Sequence, residues 1–177
     1  MNFLKRTYNW TLEKAQHKNA KWYLSLISFA ESSFFPIPPD ILLIPMALAS
    51  KAKALFYAFI CTLFSVLGGI LGYAIGYFFF NSVGIYIVEF YHLENSFSVF
   101  EDYYREFGIL IVLGAGITPF PYKFITIASG VFGLNIFFFI VVSIIGRGLR
   151  FYLIAILLYF FGEKIKLIID KLSLIHI

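Results

Sequence analysis

Apolar residues run almost unbroken along two stretches of this chain, residues 54–80 and 136–161, each longer than the roughly 20 residues a bilayer-crossing helix needs. Two further apolar stretches, 22–50 and 108–134, are interrupted in the middle by proline. In the first the break is Pro36, Pro38 and Pro39, and in the second Pro119 and Pro121. Proline removes a backbone donor and breaks a helix, and non-helical backbone is tolerated at membrane depth only where protein or a water-filled cavity surrounds it. The pattern predicts re-entrant hairpins at 22–50 and 108–134, each a pair of half-helices that enters and leaves by one face. The expected fold is an all-α integral membrane protein. It comprises a cytoplasmic or interfacial amphipathic segment (1–21), a membrane domain (22–162) with an outer loop at 81–107, and a cytoplasmic tail (163–177). The N-terminal segment sets Leu4, Tyr8 and Leu12 near one face, as an interfacial helix does.

Composition strengthens this class. Hydrophobic residues make up 60% of the chain and charged residues 14%, well below the quarter or so typical of soluble domains. The hairpin topology also sorts the charges. Lys5, Arg6, Lys14, Lys18, Lys21, Lys51, Lys53, Lys164, Lys166 and Lys171 fall on one face, and Arg105 faces the other with Glu89, Glu94, Glu101, Asp102 and Glu106. Basic residues collect on the cytoplasmic side. Both termini are therefore expected in the cytoplasm of a multi-pass membrane protein. The first 21 residues do not have the form of a cleaved signal peptide. The lone Cys61 offers neither a disulfide nor a thiolate metal site.

The halves of the chain match one another. Phe35-Pro-Ile-Pro-Pro-Asp40 aligns with Thr118-Pro-Phe-Pro-Tyr-Lys123, and the segment from Gly68 to Gly84 aligns with that from Gly146 to Gly162. Opposite faces of insertion make this an inverted repeat, whose substrate site lies near the midplane where broken helices meet. Gly68, Gly72 and Gly76 recur every four residues and leave a smooth stripe for close helix packing, within the chain or in a homo-oligomer. The aromatic residues read as lipid-facing Phe, with Trp10, Trp22 and Tyr23 suited to the interface.

Five ionisable residues lie inside apolar stretches: Glu31, Asp40, Lys123, Arg147 and Arg150. Each would cost at least a few kcal/mol unpaired in lipid, about 2.5–3.5 on the mildest scale, so they are expected to converge in the bundle interior. Arg147 and Arg150, at i and i+3, share one side of a helix and could grip one anion with forked donors. They could equally pair with the carboxylates, for instance Glu31 with Arg150. Burial disfavours an ionised carboxylate and a neighbouring cation favours it, so Glu31 and Asp40 are either proton carriers or permanent ion-pair partners. His17, His92 and His176 are too scattered for a metal cluster or an intramembrane base. The serines lack a triad, and no phosphate-binding glycine loop or nucleic-acid signature is present. Neither an enzyme nor a cofactor is expected.

Taken in order, Glu31-Ser-Ser-Phe-Phe-Pro-Ile-Pro-Pro-Asp40, Gly68-Gly-Ile-Leu-Gly-Tyr-Ala-Ile-Gly76, Phe107-Gly108, Pro119-Phe-Pro-Tyr-Lys123, Ala128-Ser-Gly130 and Gly146-Arg-Gly-Leu-Arg150 resemble the DedA family of SNARE-associated or VTT-domain proteins. Within it they look like the YqaA-like branch. The resemblance covers about residues 22–162. It implies facing re-entrant hairpins in a bacterial inner membrane and movement of a phosphate-bearing lipid, undecaprenyl phosphate or a phospholipid, with a link to the proton gradient. It assigns the acidic pair to Glu31 and Asp40 and the basic pair to Arg147 and Arg150. The chain departs from main-branch members, which carry an arginine in the second hairpin and Gly-Glu in the first, where Lys123 and Pro39-Asp40 stand here. The reading that results is a lipid flippase in which Arg147, Arg150 and Lys123 bind the phosphate. Its alternatives are a non-transporting membrane factor that binds partners and a proton-coupled exporter of small solutes.

Overall fold

A computed structural model describes residues 19–34, 37–90, 92 and 94–175. The N-terminal segment read as an interfacial helix and the first break proline, Pro36, lie outside the described residues, apart from residues 19–21. The described residues form helices α1 (Ala20–Ser33), α2 (Asp40–Ala49), α3 (Ala54–Phe79), α4 (Ile85–Phe90), α5 (Glu94–Ile117), α6 (Tyr122–Val131) and α7 (Ile136–Ile175). A 3-10 turn, Lys51–Lys53, leads into α3, and a π-turn, Phe80–Gly84, leads out of it. No strand occurs among the described residues.

Two segments, Lys51–Gly84 and Ile136–Gly162, are long and apolar enough to cross a membrane. By contrast α1 (14 residues), α2 (10 residues) and α6 (10 residues) reach only about 21, 15 and 15 Å at 1.5 Å per residue, short of a hydrocarbon core of about 30 Å. The segment 81–107, expected as a loop, is largely helical. α5 begins at Glu94, so the apolar stretch from Gly108 continues a helix already formed outside it. The helix at the other end of the domain likewise runs on past Gly162 into the segment read as a tail.

Contacts fix the direction of each short helix. α1 runs alongside α3 in the same sense: Ala20 and Ala54 share one core cluster, Ser32 Oγ lies 2.5 Å from Ser65 Oγ, and Ser33 Oγ donates to Gly68 O at 3.0 Å. α2 returns to where α1 began. Its Met46 and Ala47 pack with Ala20, Leu24, Ala54 and Leu158, and its Leu48 lies beside Gly162. α1 and α2 thus start and finish at the Ala54 end of α3.

The second pair sits at the other end. Tyr104 of α5 hydrogen-bonds Ser129 of α6 at 3.0 Å, Gly108 abuts Leu134, and Tyr73 of α3 donates to Leu134 O at 2.6 Å. The α6–α7 corner is tight because Gly133 takes φ +62°, which glycine adopts without strain. Asn135 then caps α7, its Oδ1 accepting from the backbone N–H groups of Phe137 and Phe138.

The glycine stripe is where both pairs close on α3. A side chain at Gly68 would run into the backbone of Phe29 in α1, one at Gly72 into Thr126 and Ser32, and one at Gly76 into the backbone of Ile127 in α6. The stripe is therefore filled within the chain and is not free to receive a second copy. Outward faces remain apolar, with Phe78 67%, Leu153 58% and Phe160 72% exposed, more than a water-facing surface ordinarily tolerates in one band.

Candidate functional site

The two helix breaks meet. Pro38 and Pro39 from the first and Pro119, Phe120 and Pro121 from the second line one cavity of about 270 Å³, together with Glu31, Asp40, Lys123 and Arg150. Each break follows from local chemistry: Pro39 precedes the first turn of α2 with φ −64°, where its missing N–H costs nothing, and Pro121 stands in the same place before α6. Pro45, inside α2, adds a further missing donor to a helix of only 10 residues.

Arg150 ties the breaks together. Its Nη2 pairs with Asp40 Oδ2 at the start of α2, and its Nη1 donates to Thr118 O, 2.6 Å away at the end of α5. The other Asp40 oxygen, Oδ1, is buried without a hydrogen-bond partner among the described residues. Lys123 reaches the same cavity from α6, its Nζ 5.3 Å from the centre of the Phe124 ring, and it forms no ion pair among the described residues.

Arg147 occupies a different place. Only 1% exposed, it lies below the cavity without lining it. Its Nη2 donates to Glu31 Oε2 at 2.6 Å and its Nε to Ser65 Oγ at 2.6 Å, and Ser32 Oγ donates to the same carboxylate oxygen at 2.9 Å. The guanidinium is sandwiched between Tyr122 and Phe151, 4.9 and 4.7 Å from the ring centres, a cation–π arrangement that strengthens when dry. Tyr122 is itself held by a 2.5 Å hydrogen bond to Ser143. One Arg147 donor, Nη1, has no hydrogen-bond partner among the described residues.

The structure therefore brings together all five charges singled out in the sequence, but not as one grip. The pairs are Glu31 with Arg147 and Asp40 with Arg150, in place of the Glu31–Arg150 pair suggested by the sequence. The i, i+3 spacing put both arginines on one side of α7, yet one turn of rise separates a sealed pair from a cavity-facing one. Ser32, Ser65, Tyr122 and Phe151, which complete the Arg147 site, escaped the sequence reading. Buried hydroxyls and rings are common in apolar helices, and only Ser32, beside Glu31, carried a local signal.

At the level of class, then, the described residues are those of an all-helical protein with two helices able to cross a membrane, one buried ion pair and one partly buried, cavity-facing ion pair where its short and broken helices meet. It is 38% identical over 157 residues to an uncharacterized protein of Haemophilus influenzae, across 89% of this chain and 81% of that protein. It is 36% identical over 160 residues to an "Uncharacterized protein HI0703 homolog" of Histophilus somni, across 89% and 82%. The chain belongs to the family of these proteins. No family model and no solved structure matches it.

Proposed function

We propose that this is a multi-pass protein of the bacterial inner membrane, of the DedA type, that carries a phosphate-bearing lipid across the bilayer. The lipid is undecaprenyl phosphate or a phospholipid. In this reading α1–α2 and α5–α6 are re-entrant hairpins of an inverted repeat, inserted from opposite faces, and both termini are cytoplasmic. The observation that carries it is the single cavity shared by both breaks, with Arg150 and Lys123 facing Asp40. At about 270 Å³ it lies just under the range of pockets that enclose a drug-sized molecule, so it suits a headgroup whose chain stays in the lipid.

The chemistry runs through Arg150 and Lys123. A phosphate entering the cavity meets the Lys123 ammonium, which forms no ion pair among the described residues, and competes with Asp40 for the Arg150 fork. Because Arg150 also holds Thr118, its release from Asp40 loosens the contact between the hairpin breaks. A proton on Asp40 would weaken the same pair, which gives the carrier a route to proton coupling. Arg147 and Glu31 stay paired, with Glu31 at the cavity wall and Arg147 sealed behind it. The carrier works without a cofactor.

Proteoliposomes containing fluorescent undecaprenyl phosphate or a fluorescent phospholipid, with and without a pH gradient, test this. Wild type moves one of the lipids, and Arg150→Ala, inserted and folded, does not. Absence of movement in wild type, or full activity in Arg150→Ala, overturns the carrier reading in favour of a partner-binding role. Transport of a headgroup lacking its lipid tail would favour a small-solute exporter.

A further inference from the structure

A second, larger cavity of about 460 Å³ lies away from the one between the breaks, at the far end of α3. Tyr77 and Phe80 from the end of α3, Tyr104 from α5 and Phe132 from the α6–α7 corner contribute aromatic surface, and Glu101 and Arg105 contribute charge. Phe132 stacks on Tyr104 with ring centres 5.0 Å apart, so this wall is built rather than loose.

Glu101 and Arg105 form an i, i+4 pair at 2.7 Å, with Arg105 largely exposed. Pairs this exposed add little stability. The contact uses one guanidinium nitrogen and one carboxylate oxygen, which leaves further donors on Arg105 and an acceptor on Glu101. The cavity also borders Gly130 and Val131, the last turn of α6, where the carbonyl end of a helix favours a cation. It therefore offers a cation-favouring side, made of rings, helix end and carboxylate, beside an anion-favouring guanidinium. On the bilayer reading above it sits at headgroup depth, where α3 ends at Phe79 and α7 begins at Ile136.

We infer that this cavity is a second lipid site, which takes a zwitterionic headgroup with its alkylammonium against the rings and Glu101 and its phosphate on Arg105. The ammonium would gain cation–π contact as well as charge pairing. The inference rests on the bilayer reading above and not on transport. Tyr104, which lines the cavity, also bonds Ser129 and Ile125 O on α6, the helix that carries Lys123 to the central cavity.

The test is native mass spectrometry of the full-length protein in detergent with dihexanoyl phosphatidylethanolamine, dihexanoyl phosphatidylglycerol or hexylamine. Wild type should retain the ethanolamine lipid about tenfold better than the glycerol lipid or the amine, the factor one charge-assisted contact supplies. Glu101→Gln should erase the preference between the two lipids, and Arg105→Gln should weaken both. Equal retention of the two lipids by wild type, or an unchanged preference in Glu101→Gln, overturns the inference. A protein that moves no lipid in proteoliposomes but keeps the preference would sink the carrier reading and leave this site standing.

Discussion

Replacing Arg147 by methionine should strongly destabilise the bundle, although the residue lies outside the cavity. The substitution leaves the Glu31 carboxylate, 13% exposed, with only Ser32 as a partner among the described residues and takes the Nε–H donor from Ser65 Oγ. Breaking a buried ion pair on one side costs about 3–5 kcal/mol. Loss of the two ring contacts adds to this, partly offset by about 0.3–1.5 kcal/mol of sulfur–aromatic contact from the new methionine. Against a total stability of about 5–15 kcal/mol, that ranges from about a fifth of the stability to nearly all of it. The double variant Glu31→Leu with Arg147→Met removes both charges and should return to within about 2 kcal/mol of wild type, because apolar replacements of buried pairs are close to neutral. SDS titration in mixed micelles, followed by circular dichroism, measures all four proteins of the cycle. A single variant that loses less than about 1 kcal/mol would refute the pairing argument. So would a double variant as unstable as the sum of the singles.

Three further outcomes follow from individual contacts. Gly68→Ala and Gly76→Ala drive a methyl group into the backbones of Phe29 and Ile127 and should each cost about 1–3 kcal/mol, whereas Gly114→Ala, which meets nothing within 4 Å, should be neutral or stabilising by up to about 1 kcal/mol in the same titration. Tyr122→Phe strands Ser143 and should cost about 1–2 kcal/mol, with most of that absent when Ser143 is already alanine. Lys123→Gln breaks no ion pair among the described residues, so its unfolding midpoint should match wild type while half-saturation by a phosphate lipid rises about tenfold in the proteoliposome assay; a large loss of stability instead would show that Lys123 is structural.

Much of this architecture could be read from the chain because it depends on local chemistry. Two long apolar runs dictate two long helices, since a backbone surrounded by apolar side chains satisfies its polar groups internally. Pro38, Pro39, Pro119 and Pro121 dictate where the other helices stop, because a missing donor and a fixed φ act on the residue itself. The cost of charge in an apolar setting dictates that Glu31, Asp40, Arg147 and Arg150 find partners, and they do.

Which partner each finds is a matter of tertiary geometry. One turn of α7 raises Arg150 to the level of Asp40 and Thr118 and leaves Arg147 level with Glu31 and Ser65, a division set by how far α1 climbs along the glycine stripe of α3 before it breaks. No spacing along the chain encodes that height. The helical character of 94–107 was also hidden, because its Glu, Asp and Arg residues resemble a solvated loop until Tyr104 is seen bonded to Ser129 and Ile125. The sequence alone determined which residues are intolerable without a partner. Packing decided which of them share a cavity and which are sealed beneath it, because that depends on distances between segments up to 116 positions apart in the chain.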